Sequence, residues 1–116
     1  MSKPLGPYTP VVRAGDFIIV SGQVGVVDGA LAEGGVAGQT TAAMANLKAR
    51  LADFDATLED VVKTTCFLVD MDAFDTFNAA YSDAFGDHRP ARSTVAVRGL
   101  PIGAQVEIEA MAYRPV

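Results

Sequence analysis

The stretch "VVKTTCFLVD" at residues 61–70 has the pattern of a β-strand that is apolar on both of its sides. It is rich in β-branched and aromatic residues, which favour strands. Because side chains alternate between the two faces of a sheet, one face carries Val61 and Phe67 and the other carries Cys66 and Leu68. A strand with two apolar faces needs cover on both sides. We therefore expect other elements to pack on each face of this strand.

Two predicted helices flank this strand in the sequence. Residues 36–54 and residues 73–85 place apolar side chains at spacings of three and four, which aligns them on one face of a helix. The residues on these two faces are Val36, Thr40, Ala43, Leu47, Leu51 and Phe54 in the first helix, and Phe74, Phe77, Tyr81 and Phe85 in the second.

Four further predicted strands complete the order. Residues 11–14 and 17–21 precede the helices, and residues 92–98 and 105–113 follow them. The glycine-rich stretch from Gly22 to Gly35 predicts loops and turns, and "GLPIGA" at 99–104 predicts a hairpin-type loop. The order ββ-α-β-α-ββ predicts an α+β domain, one sheet with two helices on one face. The length of 116 residues fits a single domain over 1–116.

The second face of this sheet has no predicted cover within the chain. Residues 17–20 are apolar throughout, and the strand at 61–69 is apolar on both sides. A large exposed apolar face marks an interaction surface. We therefore expect a homo-oligomer whose sheets pack against each other, with a stoichiometry that the residues leave open.

Composition disfavours several classes of protein. The net charge is −5 and the nine Lys and Arg residues are scattered, whereas nucleic-acid binding needs a basic footprint. No apolar run is long enough to span a membrane. Cys66 is the only cysteine, so no internal disulfide can form, and "MSKPLGPYTP" lacks the hydrophobic core of a signal peptide. We expect a cytoplasmic protein without nucleic-acid or membrane partners.

Familiar catalytic and cofactor motifs are absent from the sequence. His88 is the only histidine and lies in a predicted loop, where a triad would need Ser and Asp to be brought to it by the fold. One His, one Cys and scattered carboxylates disfavour a metal site. The glycine-rich "GQVGVVDG" at 22–29 matches neither the dinucleotide nor the P-loop fingerprint.

Arg92 is the first polar residue that invites a functional interpretation. It lies in "HRPARSTVAV" at 88–97, where a loop ends and an apolar strand begins. An arginine at a strand end often extends its charged head to solvent. The alternative is a guanidinium fork that binds a carboxylate through two parallel hydrogen bonds.

Glu107 and Glu109 in "QVEIEAMAY" form the second feature. The strand period places both on the face opposite Val106 and Ile108. One interpretation is a solvated face with a cross-strand pair such as Glu107 with Arg98. The other makes a glutamate the group that transfers protons to and from water.

Several smaller polar features favour structural roles when taken alone. Tyr8, held between prolines, is typical of a turn, and Ser21 could cap one. Asn78, on the apolar face of the second helix, is expected to be hydrogen-bonded. Cys66 is most simply a small core residue.

The segment "PARSTVAVRGLPIGAQVEIEA" at 90–110 closely resembles the Rid family of reactive intermediate deaminases, also called YjgF. The resemblance extends over almost the whole chain. "GPYTP" at 6–10 is similar to the family's Gly-Pro-Tyr, and "VSGQVG" at 20–25 is similar to its Ser-Gly-Gln strand end. Thr94 stands where many members have a cysteine, and the loop "GDHRPAR" is shorter than in the founding members and lacks an aromatic residue before Pro-Ala-Arg.

This resemblance implies a chorismate-mutase-like fold, a homotrimer whose sheets form a central barrel, and clefts between subunits. It implies hydrolysis of enamines and imines such as 2-aminoacrylate to a 2-keto acid and ammonia, without metal or cofactor. By matching position, Arg92 would bind the substrate carboxylate and Glu107 would hold or activate water. Tyr8 and Ser21 would line the cleft, and Thr94 would contribute its backbone.

The resulting hypothesis is a 2-iminobutanoate/2-iminopropanoate deaminase with Arg92 and Glu107 as its catalytic residues. The alternative is a non-catalytic trimer that binds small keto or amino acids at the same clefts, because fold does not fix function. A ribonuclease is a weaker third hypothesis, since the chain is acidic and has no basic face.

Overall fold

A computed structural model describes residues 4–116 of the chain. A five-stranded sheet with the strand order β1-β2-β7-β5-β6 carries two helices. The elements are β1 Val11–Ala14, β2 Phe17–Val24, β3 Val26–Val27, β4 Ala30–Leu31, α1 Gly35–Ala52, β5 Val61–Leu68, α2 Phe74–Phe85, β6 Ala91–Ala96 and β7 Val106–Tyr113. The predicted α+β class is confirmed, with each predicted helix and strand present. None of the described helices is both long and apolar enough to cross a membrane.

Strand β5 lies inside the sheet, as its two apolar faces predict. It pairs antiparallel with β7 on one side and parallel with β6 on the other, and α2 makes the crossover between the parallel strands. The prediction of a hairpin at 99–104 is wrong, because the two strands that this loop joins do not pair with each other. Strands β6 and β7 are separated by β5, so their connection crosses β5 through the short 3₁₀ turn Pro101–Gly103.

The core lies between the helices and one face of the sheet. Alternation along β7 buries Val106, Ile108 and Ala110 against the helices. The helices contribute Thr40, Ala43, Met44, Leu47, Leu51, Phe77, Tyr81 and Phe85 to the buried set. Cys66 is fully buried among these residues, which confirms its predicted place in the core.

The glycine-rich stretch is more regular than its composition predicts. Strand β2 continues to Val24, and β3 pairs with β4 as a small separate ribbon. The expectation of loops alone from Gly22 to Gly35 is therefore wrong. Glycine weakens strands but is tolerated at bulges, and the pairing of β2 with β7 shifts register between Val20 and Gln23.

The sheet face opposite the helices is open and largely apolar. Cross-strand pairing aligns Val12, Ile19, Met111 and Lys63 in one row on this face. The large apolar side chains exposed there are Val12, Phe17, Ile19, Val95, Met111 and Tyr113. This is the uncovered face that the sequence predicts, and an apolar patch of this kind marks a contact surface.

Candidate active site

Arg92 is held in an aromatic setting on the helix-covered face of the sheet. It aligns with the buried Thr64 across the β5–β6 pair, and its Nη1 donates a hydrogen bond of 2.8 Å to Asn78 Oδ1. Its guanidinium carbon lies 5.5 Å, 5.7 Å and 5.0 Å from the ring centroids of Phe74, Phe77 and Tyr81. Cation–π attraction to three rings holds the side chain against α2. An arginine extended freely into solvent is therefore not what the structure shows.

The Arg92 guanidinium has no carboxylate partner among the described residues. No described carboxylate oxygen lies within 4.0 Å of it. It lines a cavity of about 230 Å³ together with Asn78, Tyr81, Ser82, Arg89 and Pro90. A guanidinium presents five N–H donors, and the amide of Asn78 occupies only part of this capacity. The cavity can therefore receive an external carboxylate in the planar, two-bond geometry that arginine favours.

Glu107 lies on the opposite, open face of the sheet. Its neighbours across the strands are Phe67 and Val24, whereas Arg98 lies beyond the end of β6. The suggested pair between Glu107 and Arg98 is therefore absent from the described part of the chain. Burial, and secondarily the charge of Glu109, raises the pKa of the Glu107 carboxyl above its usual value.

The Glu107 carboxylate faces a cavity of about 300 Å³ that the N-terminal segment helps to close. Its lining is mixed, with apolar walls and a few polar groups, which is typical of small-ligand sites. The residues that line it are Leu5, Gly6, Tyr8, Ser21, Gly22, Val24, Pro101 and Glu107. Tyr8, Ser21 and Glu107, which sequence reasoning selected separately, thus lie together.

The wall beside Glu107 is fixed by local hydrogen bonds. Ser21 donates from its hydroxyl to the carbonyl of Thr9 at 2.7 Å and from its backbone N–H to that of Pro10 at 2.9 Å. The Tyr8 hydroxyl accepts a bond of 3.3 Å from the N–H of Leu5. These bonds attach the N-terminal segment to the end of β2. The turn and capping roles expected for Tyr8 and Ser21 therefore coexist with their place in the cavity.

Gly22 leaves the space that the Glu107 side chain occupies. A Cβ atom at this position would lie 2.6 Å from Cδ and 3.0 Å from Oε1 of Glu107. Contacts this short are not tolerated, so any other residue at position 22 would displace the carboxyl group or the strand. Gly22 lies at the register shift of β2, and a glycine at a bulge often marks a close approach of this kind.

Thr94 lies outside both cavities. It pairs in register with Cys66, and its buried Oγ1 has no hydrogen-bond partner among the described residues. Burial raises the pKa of the Cys66 thiol to about 11, so this cysteine stays protonated and unreactive near neutral pH.

The described chain does not bring all the predicted residues together. Arg92 projects toward the helices, whereas Glu107 projects from the open face, so the two face separate cavities within one chain. Sequence reasoning did not select Arg89 or Gly22, and it assigned Asn78 a structural bond without identifying its partner. The position of Asn78 between Phe77 and Tyr81 on one apolar helix face was the sequence feature that indicated a polar partner there. Among the described residues, no group of three His, Cys, Asp or Glu side chains could hold a metal ion.

Comparison with known proteins gives this geometry a family context. The family model described as Endoribonuclease L-PSP matches residues 1–114. The mouse protein named 2-iminobutanoate/2-iminopropanoate deaminase is 41% identical over 112 residues, covering 95% of this chain and 83% of the mouse protein.

Two solved structures from E. coli have the same fold. The YjgF gene product has a TM-score of 0.90 and 40% identity, covering 96% of this chain and 91% of its own. TdcF with bound serine has a TM-score of 0.90 and 34% identity, with the same coverages of 96% and 91%. The chain therefore belongs to the Endoribonuclease L-PSP family, the family of YjgF and RidA, as its resemblance to the Rid proteins predicts.

Proposed function

We propose that this chain is an imine and enamine deaminase that converts 2-imino acids, such as those derived from 2-aminoacrylate, into 2-keto acids and ammonia. The observation that carries the proposal is the Arg92 guanidinium, which is fixed by Asn78 and three aromatic rings, faces a cavity, and has no described carboxylate partner. The name of the mouse relative supports the same chemistry.

Arg92 acts by binding the substrate carboxylate. Two parallel N–H···O bonds fix both the position and the plane of the carboxylate. The imine carbon is bonded directly to that carboxyl group, so it is held in one place relative to the attacking water. Imines already hydrolyse in water, so orientation is a large part of the acceleration that such an enzyme needs.

Glu107 acts as the general base. Its ionised carboxylate accepts a proton from a water molecule as the water oxygen forms a bond to the imine carbon and the C=N electrons move to nitrogen. The substrate reacts as the protonated imine, so the resulting nitrogen is a neutral amine. It takes a proton from the Glu107 carboxyl, the C–N bond breaks and ammonia leaves, while the new hydroxyl group forms the C=O bond and gives its proton to the Glu107 carboxylate, which releases it to solvent. A pKa raised toward neutrality suits a group that both accepts and returns a proton.

A homotrimer would unite the two halves of this site. Arg92 and Glu107 face different cavities in one chain, and the sheet leaves an apolar face open. Cyclic packing of three copies, each a single domain over 1–116, would cover that face. It would also place Arg92 and the Thr94 backbone of one copy beside Glu107, Tyr8 and Ser21 of its neighbour.

The direct test uses 2-aminoacrylate generated in the assay by a separate enzyme. We expect the wild-type chain to accelerate release of ammonia and keto acid above the spontaneous rate.

TdcF was solved with bound serine, and this favours a second candidate, a trimer that binds small carboxylates without catalysis. Tight binding of keto acids with no acceleration would establish that candidate and contradict the deaminase.

Gly22→Ala is expected to lower turnover at least about tenfold, because a misplacement of about 1 Å in a reacting group can cost up to about 100-fold. The added Cβ would lie 2.6 Å from the Glu107 carboxyl carbon and would force that group to move. Gly99→Ala is the matched control, since nothing lies within 4 Å of its Cβ position. Equal steady-state rates for the two variants would show that the contact with Gly22 does not position Glu107.

The pH profile should report the raised pKa of Glu107. The base must be ionised, so kcat/KM should fall as pH drops through a value above about 4.3, the usual pKa of a glutamate. Glu109→Gln removes one cause of the increase and should move this acid limb to lower pH. An acid limb that does not move in this variant would contradict the assignment of the titration to Glu107. Rates are corrected at each pH for spontaneous hydrolysis.

A further inference from the structure

Arg89 is a second cation in the Arg92 cavity. It lies in the loop between α2 and β6 and lines the same cavity of about 230 Å³. Its Nη1 donates to the backbone carbonyls of Gly86 and, at 2.9 Å, His88. These two bonds occupy Nη1, while Nε and Nη2 have no hydrogen-bond partner among the described residues.

The loop that carries Arg89 is itself held in place. His88 Nε2 donates a hydrogen bond of 2.7 Å to the carbonyl of Val61, at the start of β5. The His88 ring also lies 5.9 Å from the Phe85 ring at the end of α2. The loop is thus attached to α2, which borders the cavity, and to the neighbouring strand β5. The backbone that carries Arg89 is therefore held in place, although the Arg89 side chain is exposed.

The charge in this cavity is unbalanced. No carboxylate oxygen of residues 4–116 lies within 4.0 Å of either guanidinium. Backbone carbonyls, an amide oxygen and aromatic rings are the partners of the two cations. A substrate with one carboxylate would satisfy Arg92 and leave Arg89 without an anion.

We infer that the preferred substrate is a 2-imino acid with a second carboxylate at the far end of a short chain. The inference rests on the proposed function, in which Arg92 binds the carboxylate next to the imine carbon. Arg89 would then bind the distal carboxylate. An extended chain advances at most about 3.6 Å per residue, so the two α-carbons are no more than about 11 Å apart. Because both side chains also line one cavity of about 230 Å³, one small dicarboxylate in that cavity can contact both cations.

Equilibrium binding of product analogues tests the inference independently of turnover. We expect calorimetry at fixed ionic strength to show that 2-oxoglutarate binds the wild-type chain about tenfold more tightly than 2-oxobutanoate does. Arg89→Gln should abolish this preference, and Arg89→Lys, which keeps the charge, should retain part of it. Arg98→Gln is the matched control, because Arg98 is an exposed arginine that lines neither cavity. Equal affinities in the wild type, or a preference that survives Arg89→Gln, would overturn the inference.

Turnover separates this inference from the proposed function. The ratio of kcat/KM for 2-iminoglutarate to that for 2-iminobutanoate should fall about tenfold in Arg89→Gln, mainly through KM. An unchanged ratio would overturn the role of Arg89 while leaving the deaminase intact. If neither imine is hydrolysed but 2-oxoglutarate is still preferred, the proposed function fails and the dicarboxylate site stands. Thermal unfolding of each variant verifies that it is folded.

Discussion

Arg92→Ala is expected to lower kcat/KM for 2-iminobutanoate by about 30- to 1,000-fold. Removal of one partner from a hydrogen-bonded charge pair at a partly buried contact costs about 2–4 kcal/mol, and each 1.36 kcal/mol corresponds to about tenfold. The loss should appear in KM, because the carboxylate is bound in both the ground state and the transition state, and also in kcat, because the imine carbon is no longer oriented. Steady-state kinetics with enzymatically generated imine measures it.

Two matched variants identify the cause of such a loss. Arg98→Ala removes an exposed arginine outside both cavities and should keep the wild-type rate. Arg92→Lys keeps the charge but loses the planar fork, so we expect an intermediate rate. Wild-type kinetics for Arg92→Ala would contradict the carboxylate-binding role, whatever the other variants do.

Glu107→Gln is expected to lower kcat by about 100- to 10,000-fold, the usual contribution of a positioned general base. The amide keeps the shape of the side chain but cannot accept the proton of the attacking water. Binding of 2-oxobutanoate, measured by calorimetry, should change little. A higher KM for Arg92→Ala and an unchanged affinity for 2-oxobutanoate in Glu107→Gln separate the binding group from the base.

Glu109→Gln is the control for the glutamate. Glu109 lies two residues after Glu107 along β7, on the same face, and it does not line the cavity that Glu107 faces. It should keep most of the activity at neutral pH. A kcat for Glu107→Gln equal to that of Glu109→Gln would contradict the base assignment. Burial of Glu107 disfavours its charged form, so the neutral amide should not destabilise the fold.

The sequence was sufficient to predict those elements whose side-chain pattern matches their burial. Strand β5 has apolar residues on both faces and proved to be interior, and the alternation along β7 predicted which side faces the helices. Tyr8 and Ser21 were predicted near Glu107 through the family resemblance, and they line one cavity with it.

The side-chain pattern did not predict the strand pairing or the surroundings of Arg92. A Gly-Pro loop of hairpin length does not reveal whether its strands pair, and β5 proved to lie between β6 and β7. The rings around Arg92 belong to α2, where the same aromatic periodicity also predicts ordinary core packing. The separation of Arg92 from Glu107 follows from the register of three strands, which no local pattern encodes.

Complementation between inactive variants tests the central claim, that neighbouring copies share one deaminase site. Arg92→Ala and Glu107→Gln chains are co-expressed, and native mass spectrometry verifies mixed trimers of three 12.1 kDa chains. In each mixed cyclic trimer one boundary joins an intact Arg92 to an intact Glu107, so random mixing should restore about a quarter of the wild-type sites. We predict activity near that fraction. Mixed trimers that remain as inactive as the two parent variants would contradict the shared site.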